Sequence, residues 1–105
     1  MTLIAAPALG YKQEDLEKLK ATNSCESCDL TGADLVGVKL RDANLTGADL
    51  SGAKLPKAKL RDSNLTGANL TGAVLLNAKI DFADFSNAKL CNTVMPDGQR
   101  IFKDC

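Results

Sequence analysis

The chain has 105 residues, with thirteen Lys and Arg balanced by thirteen Asp and Glu and no His. That length fits one small domain, and the zero net charge argues against a polyanion binder and against an acidic mimic of nucleic acid. Three Phe, one Tyr and no Trp leave little for base stacking, and no apolar run in the sequence is long enough to span a bilayer as a helix.

The start, Met1-Thr-Leu-Ile-Ala-Ala-Pro-Ala8, resembles the end of a secretory signal, closing on an Ala-x-Ala pattern at Ala6-Pro7-Ala8. It lacks the basic leader and most of the apolar segment. Residues 1–10 therefore read as a disordered leader, either a signal remnant or a plain apolar extension. Export would place the four cysteines where disulfides persist.

Residues 12–22, within a capping segment 11–23, read as a short helix. Glu14 and Asp15 sit in its first turn and Lys20 near its end, which suits the helix dipole. Leu16 and Leu19 form a narrow apolar stripe, with Tyr11 as a possible extension. A helix this short is marginal alone in water, so the stripe is expected to pack on the near end of residues 24–95.

From Leu30 to Leu90 every fifth residue is a large hydrophobe: ten Leu from Leu30 to Leu75, then Ile80, Phe85 and Leu90. Two places before each stands a companion residue, most often Ala. A period of five fits neither the 3.6 of a helix nor the 2 of a strand. It fits a solenoid of short, similar turns. Large and small residues both point inward, because a narrow tube has room for one large side chain per turn. Longer identities recur at twenty residues: Lys39-Leu-Arg-Asp-Ala-Asn-Leu45 returns as Lys59-Leu-Arg-Asp-Ser-Asn-Leu65. Four fives then make one coil, with residues n and n+20 stacked at about 4.8 Å. Residues 24–95 hold a little over three coils, and 96–105 form a C-terminal tail.

Stacking turns sequence into columns. Lys39, Lys59 and Lys79 share one, with Arg41 and Arg61 beside them and Asp42 and Asp62 next. This side reads either as a site for an anion or acidic partner or as a solvated ladder. Another side becomes apolar toward its end, at Val74, Leu76 and Val94. It needs cover, from Ile101 and Phe102 of the tail or from another chain. Phe82 is a smaller apolar exception.

The cysteines lie at the two ends. Cys25 occupies a large inward position and Cys28 a small one. A disulfide, two reduced core thiols and a redox-active Cys-x-x-Cys are all open readings; the usual context of the last is a βαβ fold and a helix N-terminus. Zinc is weaker still, since only Cys could complete the site. Cys91 points outward, Cys105 ends the sequence, and the turn signal Pro96-Asp-Gly98 between them could bring the two together. Bonds between the two ends would have to span about 15 Å, beyond disulfide reach.

The tandem Ala-(Asp/Asn)-Leu-x-x units, such as Ala33-Asp-Leu-Val-Gly, Ala43-Asn-Leu-Thr-Gly, Ala48-Asp-Leu-Ser-Gly and Ala68-Asn-Leu-Thr-Gly, resemble the pentapeptide-repeat family. The resemblance implies an all-β solenoid, a right-handed quadrilateral parallel β-helix of about three coils, here with an N-terminal capping helix and a C-terminal tail. The flanks Ser24-Cys-Glu-Ser-Cys-Asp-Leu30 and Asn92-Thr-Val-Met-Pro-Asp-Gly98 resemble those of small exported members of cyanobacteria and the thylakoid lumen. Periplasm or thylakoid lumen is the implied location. Members that mimic DNA are long acidic dimers, unlike this short neutral chain.

No phosphate loop and no nucleophile–base pair is visible in the sequence. The expectation is a non-catalytic scaffold without cofactor or metal, a monomer with a protein partner and with neither nucleic acid nor membrane as its target. The alternatives are a thiol–disulfide module using Cys25 and Cys28, and an anion site on the Lys and Arg side.

Overall fold

The computed structural model describes residues 10–105, so the leader expected over 1–10 lies, apart from Gly10, outside the described residues. The fold grows from one repeated turn. After each large residue the chain turns within two residues, and the small residue three places on donates its N–H back to the large residue's carbonyl, as Ala33 does to Leu30 at 3.0 Å and Ala53 to Leu50 at 3.0 Å. The second turn residue takes a positive φ at every step, from Gly32 at 68° through Asp62 at 60° to Asn92 at 58°. That demand explains the Gly, Asn and Asp of the Leu-Thr-Gly and Leu-Arg-Asp segments, the residue types that adopt this conformation most readily. Lys57 and Phe82 adopt it too, at 61° each.

Between turns the backbone is extended and pairs with the coil above and below. Parallel bridges join residues twenty apart and fall into four columns, beginning at Ser24, Asp29, Asp34 and Lys39. The coil is thus a repeat β-helix, made of isolated bridges rather than long strands. Each step donates both ways: Leu50 N–H bonds Asn69 O at 2.7 Å, while Asp49 N–H returns to Cys28 O at 2.9 Å.

The ladder from Leu30 to Leu75 is fully enclosed, and the small companions from Ala43 to Ala73 with it. Ser63 is buried among them and satisfies its hydroxyl on Leu60 O at 2.6 Å. Thr93 continues the companion series one step past Ala88, donating to Leu70 O at 2.7 Å.

The ends differ. Helix α1, Gln13–Thr22, buries Leu16 and Leu19 against the first coil. It is fastened by Lys12 N–H to Asp29 O at 3.1 Å and by the Asp15 carboxylate, which accepts Asp29 N–H at 2.8 Å. Asn23 ends it in the left-handed region at φ 62°. At the other end, β1 (Leu90–Val94) pairs antiparallel with β2 (Arg100–Lys103), with a bulge between Cys91 and Thr93. This hairpin follows one part of the last coil only. Among the described residues, the N–H groups of Ile80, Phe82, Phe85 and Asn87 meet no following coil. Ile80 and Phe85 are accordingly only half-buried, although their positions match those of the enclosed leucines.

Candidate functional site

A tube packed with leucine offers no internal cleft, so function must be sought on the sides and at the ends. Polar residues one place before the large residue point outward, and many are occupied in holding the turn. Asp29, Asp34, Asn44, Asp49, Asn64, Asn69 and Asp84 each accept the backbone N–H two residues on, at 2.9–3.2 Å. These are Asx turns. The five-residue spacing of the large residues marks these positions only as ones between inward residues. The missed signal was a Ser or Thr two places after most of them. Asp84 is the strongest case. Hydrogen bonds from the Ser86 hydroxyl and then the Ser86 N–H hold its carboxyl below the ordinary 3.8, against a small opposing effect of burial.

The side carrying Lys39, Lys59 and Lys79 departs from that pattern. All three lysines occupy the turn-holding position and cannot accept an N–H. They are bridge partners in one column, Lys39 to Lys59 and Lys59 to Lys79. With Arg41 and Arg61 they line a groove of about 340 Å³. Arg41 reaches Asp62 at 3.7 Å and Arg61 reaches Asp81 at 3.5 Å, each pairing with the next coil. Among the described residues no carboxylate comes within 4.0 Å of the three ammonium groups. The structure brings these five residues together.

The apolar side is only partly covered. Val74 and Val94 are bridge partners and half-buried. Leu76 stays 41% exposed, and the turn at Gly98 passes close enough that an added Cβ there would lie 3.7 Å from its Cδ1. Of the two tail residues expected to cover this side, Ile101 packs against the core, whereas Phe102 points away and is 68% exposed. The expectation for Phe102 is thereby corrected. In the antiparallel pair Phe102 lies opposite Cys91, itself an outward position, so alternation sends Ile101 inward and Phe102 out.

The sulfurs of Cys25 and Cys28 are 1.98 Å apart, and both residues are buried, at 0% and 4% exposure. The Cys25 sulfur also lies 3.2 Å from Asp15 O of α1, so the pair sits beneath the helix. The sulfurs of Cys91 and Cys105 are 2.07 Å apart, with Cys91 half-buried and Cys105 exposed. No group of side chains suited to a metal ion is found among the described residues.

Comparison with protein families matches pentapeptide repeats, eight copies over residues 24–62 and 58–95. Comparison with curated proteins finds no match. Among solved structures, a pentapeptide repeat protein of the Arabidopsis thaliana thylakoid lumen is 39% identical, with a TM-score of 0.58, over 60% of this chain and 44% of its own. HetL, a pentapeptide repeat protein involved in heterocyst differentiation regulation in the cyanobacterium Nostoc sp. strain PCC 7120, is 27% identical with a TM-score of 0.39, over 74% of this chain and 51% of its own. The chain thus spans about half the length of these two relatives.

Proposed function

Because the chain belongs to the pentapeptide-repeat family, we propose that it is a non-catalytic interaction scaffold with a protein partner. The observation that carries this reading is the enclosed ladder from Leu30 to Leu75, which fills the tube and leaves chemistry-bearing side chains in columns on its outside. Catalysis needs groups converging on one reacting atom, and columns on separate sides do not converge. The family is in general a non-enzymatic repeat fold. The four bridge columns and the twenty-residue return support its right-handed quadrilateral coil, capped by α1 at one end and tied by the tail at the other.

The location proposed is an oxidising, exported compartment, the periplasm or the thylakoid lumen. Two bonded cysteine pairs and the thylakoid-lumen relative support it. The thiol–disulfide alternative is weakened by the burial of Cys25 and Cys28, since exchange requires an accessible sulfur.

The test joins two measurements. The folded protein should show no catalysed dithiol–disulfide exchange, and Cys25 and Cys28 should resist reduction and alkylation until it unfolds. Turnover with a dithiol, through a low-pKa exposed thiol at Cys25 or Cys28, would overturn the scaffold reading.

A further inference from the structure

Two local rules stabilise many turns of this tube, and the side of Lys39 breaks the first in every coil and the second at Phe82. The first is the Asx turn. Its position holds Ser, Asn, Asn and Asp in the column of Ser24, Asp, Asp, Asn and Lys in the column of Asp29, and Asp, Lys, Val and Val in the column of Asp34, but only lysine in the column of Lys39. The second is a turn residue suited to positive φ. Phe82 sits there at φ 61° with its ring 83% exposed. A bulky side chain in this conformation is unusual and costs energy, and an exposed ring recovers none of that by burial. Phe82 directly follows Asp81, the carboxylate that Arg61 contacts, and shares its coil with Lys79, which lines the cationic groove.

We propose that this side is a docking face for an acidic protein segment, with Lys39, Lys59 and Lys79 receiving its carboxylates and Phe82 packing an apolar residue at its end. The proposal rests on the scaffold reading and names the chemistry of the partner. Five cations line the groove, while Asp62 and Asp81 engage only the arginines. Stacked coils place the lysines about 4.8 Å apart along the tube. Carboxylates one turn apart on a helix have Cβ atoms about 5–6 Å apart, whereas those on one face of a strand repeat at about 6.7 Å. The lysine ladder fits the helix better. Aromatic residues, Phe among them, are enriched in protein interfaces.

The test uses the full chain and a fluorescent helical peptide carrying Glu at one-turn intervals and a terminal Leu, with binding read by anisotropy. Lys59→Glu should weaken binding about tenfold, as one attractive exposed pair becomes repulsive. Lys59→Asn and Phe82→Asn should weaken it too while raising the melting temperature, because each restores a turn rule. Lys54→Asn, in another column, should leave binding unchanged. Binding indifferent to Lys59 and Phe82, or inorganic tripolyphosphate binding as tightly as the peptide, would overturn the docking face. Either outcome leaves the scaffold reading standing, because that reading fails only on thiol turnover.

Discussion

The two ends of the tube solve one problem differently. At the start, a helix lays Leu16 and Leu19 over the first coil, and Cys25 and Cys28 are sealed beneath it. At the finish, a four-residue strand follows one part of the last coil, while Ile80 and Phe85 remain half-exposed beside unmet N–H groups. A helix satisfies its own backbone and can cover a coil end broadly with side chains. A strand covers only what it pairs with. Exposed sheet edges template association, and the half-exposed Ile80 and Phe85 leave the finish less fully covered than the start, where Leu30, Leu35 and Leu40 are buried.

The largest effect that could break this contrast lies at Leu19. Leu19→Ala should cost about 2–5 kcal/mol, the range for a buried leucine, and Phe85→Ala clearly less. Equal losses in urea unfolding would show that the C-terminal end is as well packed. The covalent ties come next. Cys105→Ser should cost up to about 3 kcal/mol on chain-entropy grounds for a loop of about fifteen residues. In a reductant titration followed by alkylation mapping, Cys91–Cys105 should open well before Cys25–Cys28, since Cys105 is exposed and the other pair is buried. Leu76→Asp should cost about 1 kcal/mol or less, because Leu76 is already partly exposed beside Gly98. A larger fall in the melting temperature would mean that the tail seals this side more tightly.

The smallest effect concerns pH. Asp84 has a folded pKa below 3.8, so its contribution is present above that value and is lost as pH falls through the folded pKa. Asp84→Asn keeps the acceptor for Ser86 N–H and should lack that acid-dependent component when unfolding is followed between pH 5 and pH 2, a range of roughly the carboxylate span.

The period of five and the return at twenty made the tube and its columns legible, because core filling and stacking each leave a strict spacing in the sequence. The five cationic residues could be grouped on one side from that spacing alone. What escaped was local. The turn-holding role of Asp29 or Asn69 depends on a hydrogen bond between near neighbours, which a hydrophobic pattern does not record. Thr93 lies in the repeat region but beyond the companion series that ends at Ala88, and it fills the next companion position with its hydroxyl satisfied from inside the tube. Phe102 is a candidate cover for the apolar side by its place in the tail, but pairing opposite the outward Cys91 in a short hairpin turns it away. Phe82 was visible as an apolar exception, yet its strained conformation depends on its place in the turn.

The twenty-residue return of the bridge columns also sets the units in which such a chain can change. An insertion or deletion of twenty residues leaves every side chain on the same side. One of five keeps each leucine inside the tube but carries everything beyond it a quarter of the way round. The core does not register the slip; the surface is scrambled by it, with lysines moved beneath aspartates and the second cysteine pair turned away from its starting side. A five-residue slip therefore spares the leucine ladder and changes which side of the tube each surface residue occupies.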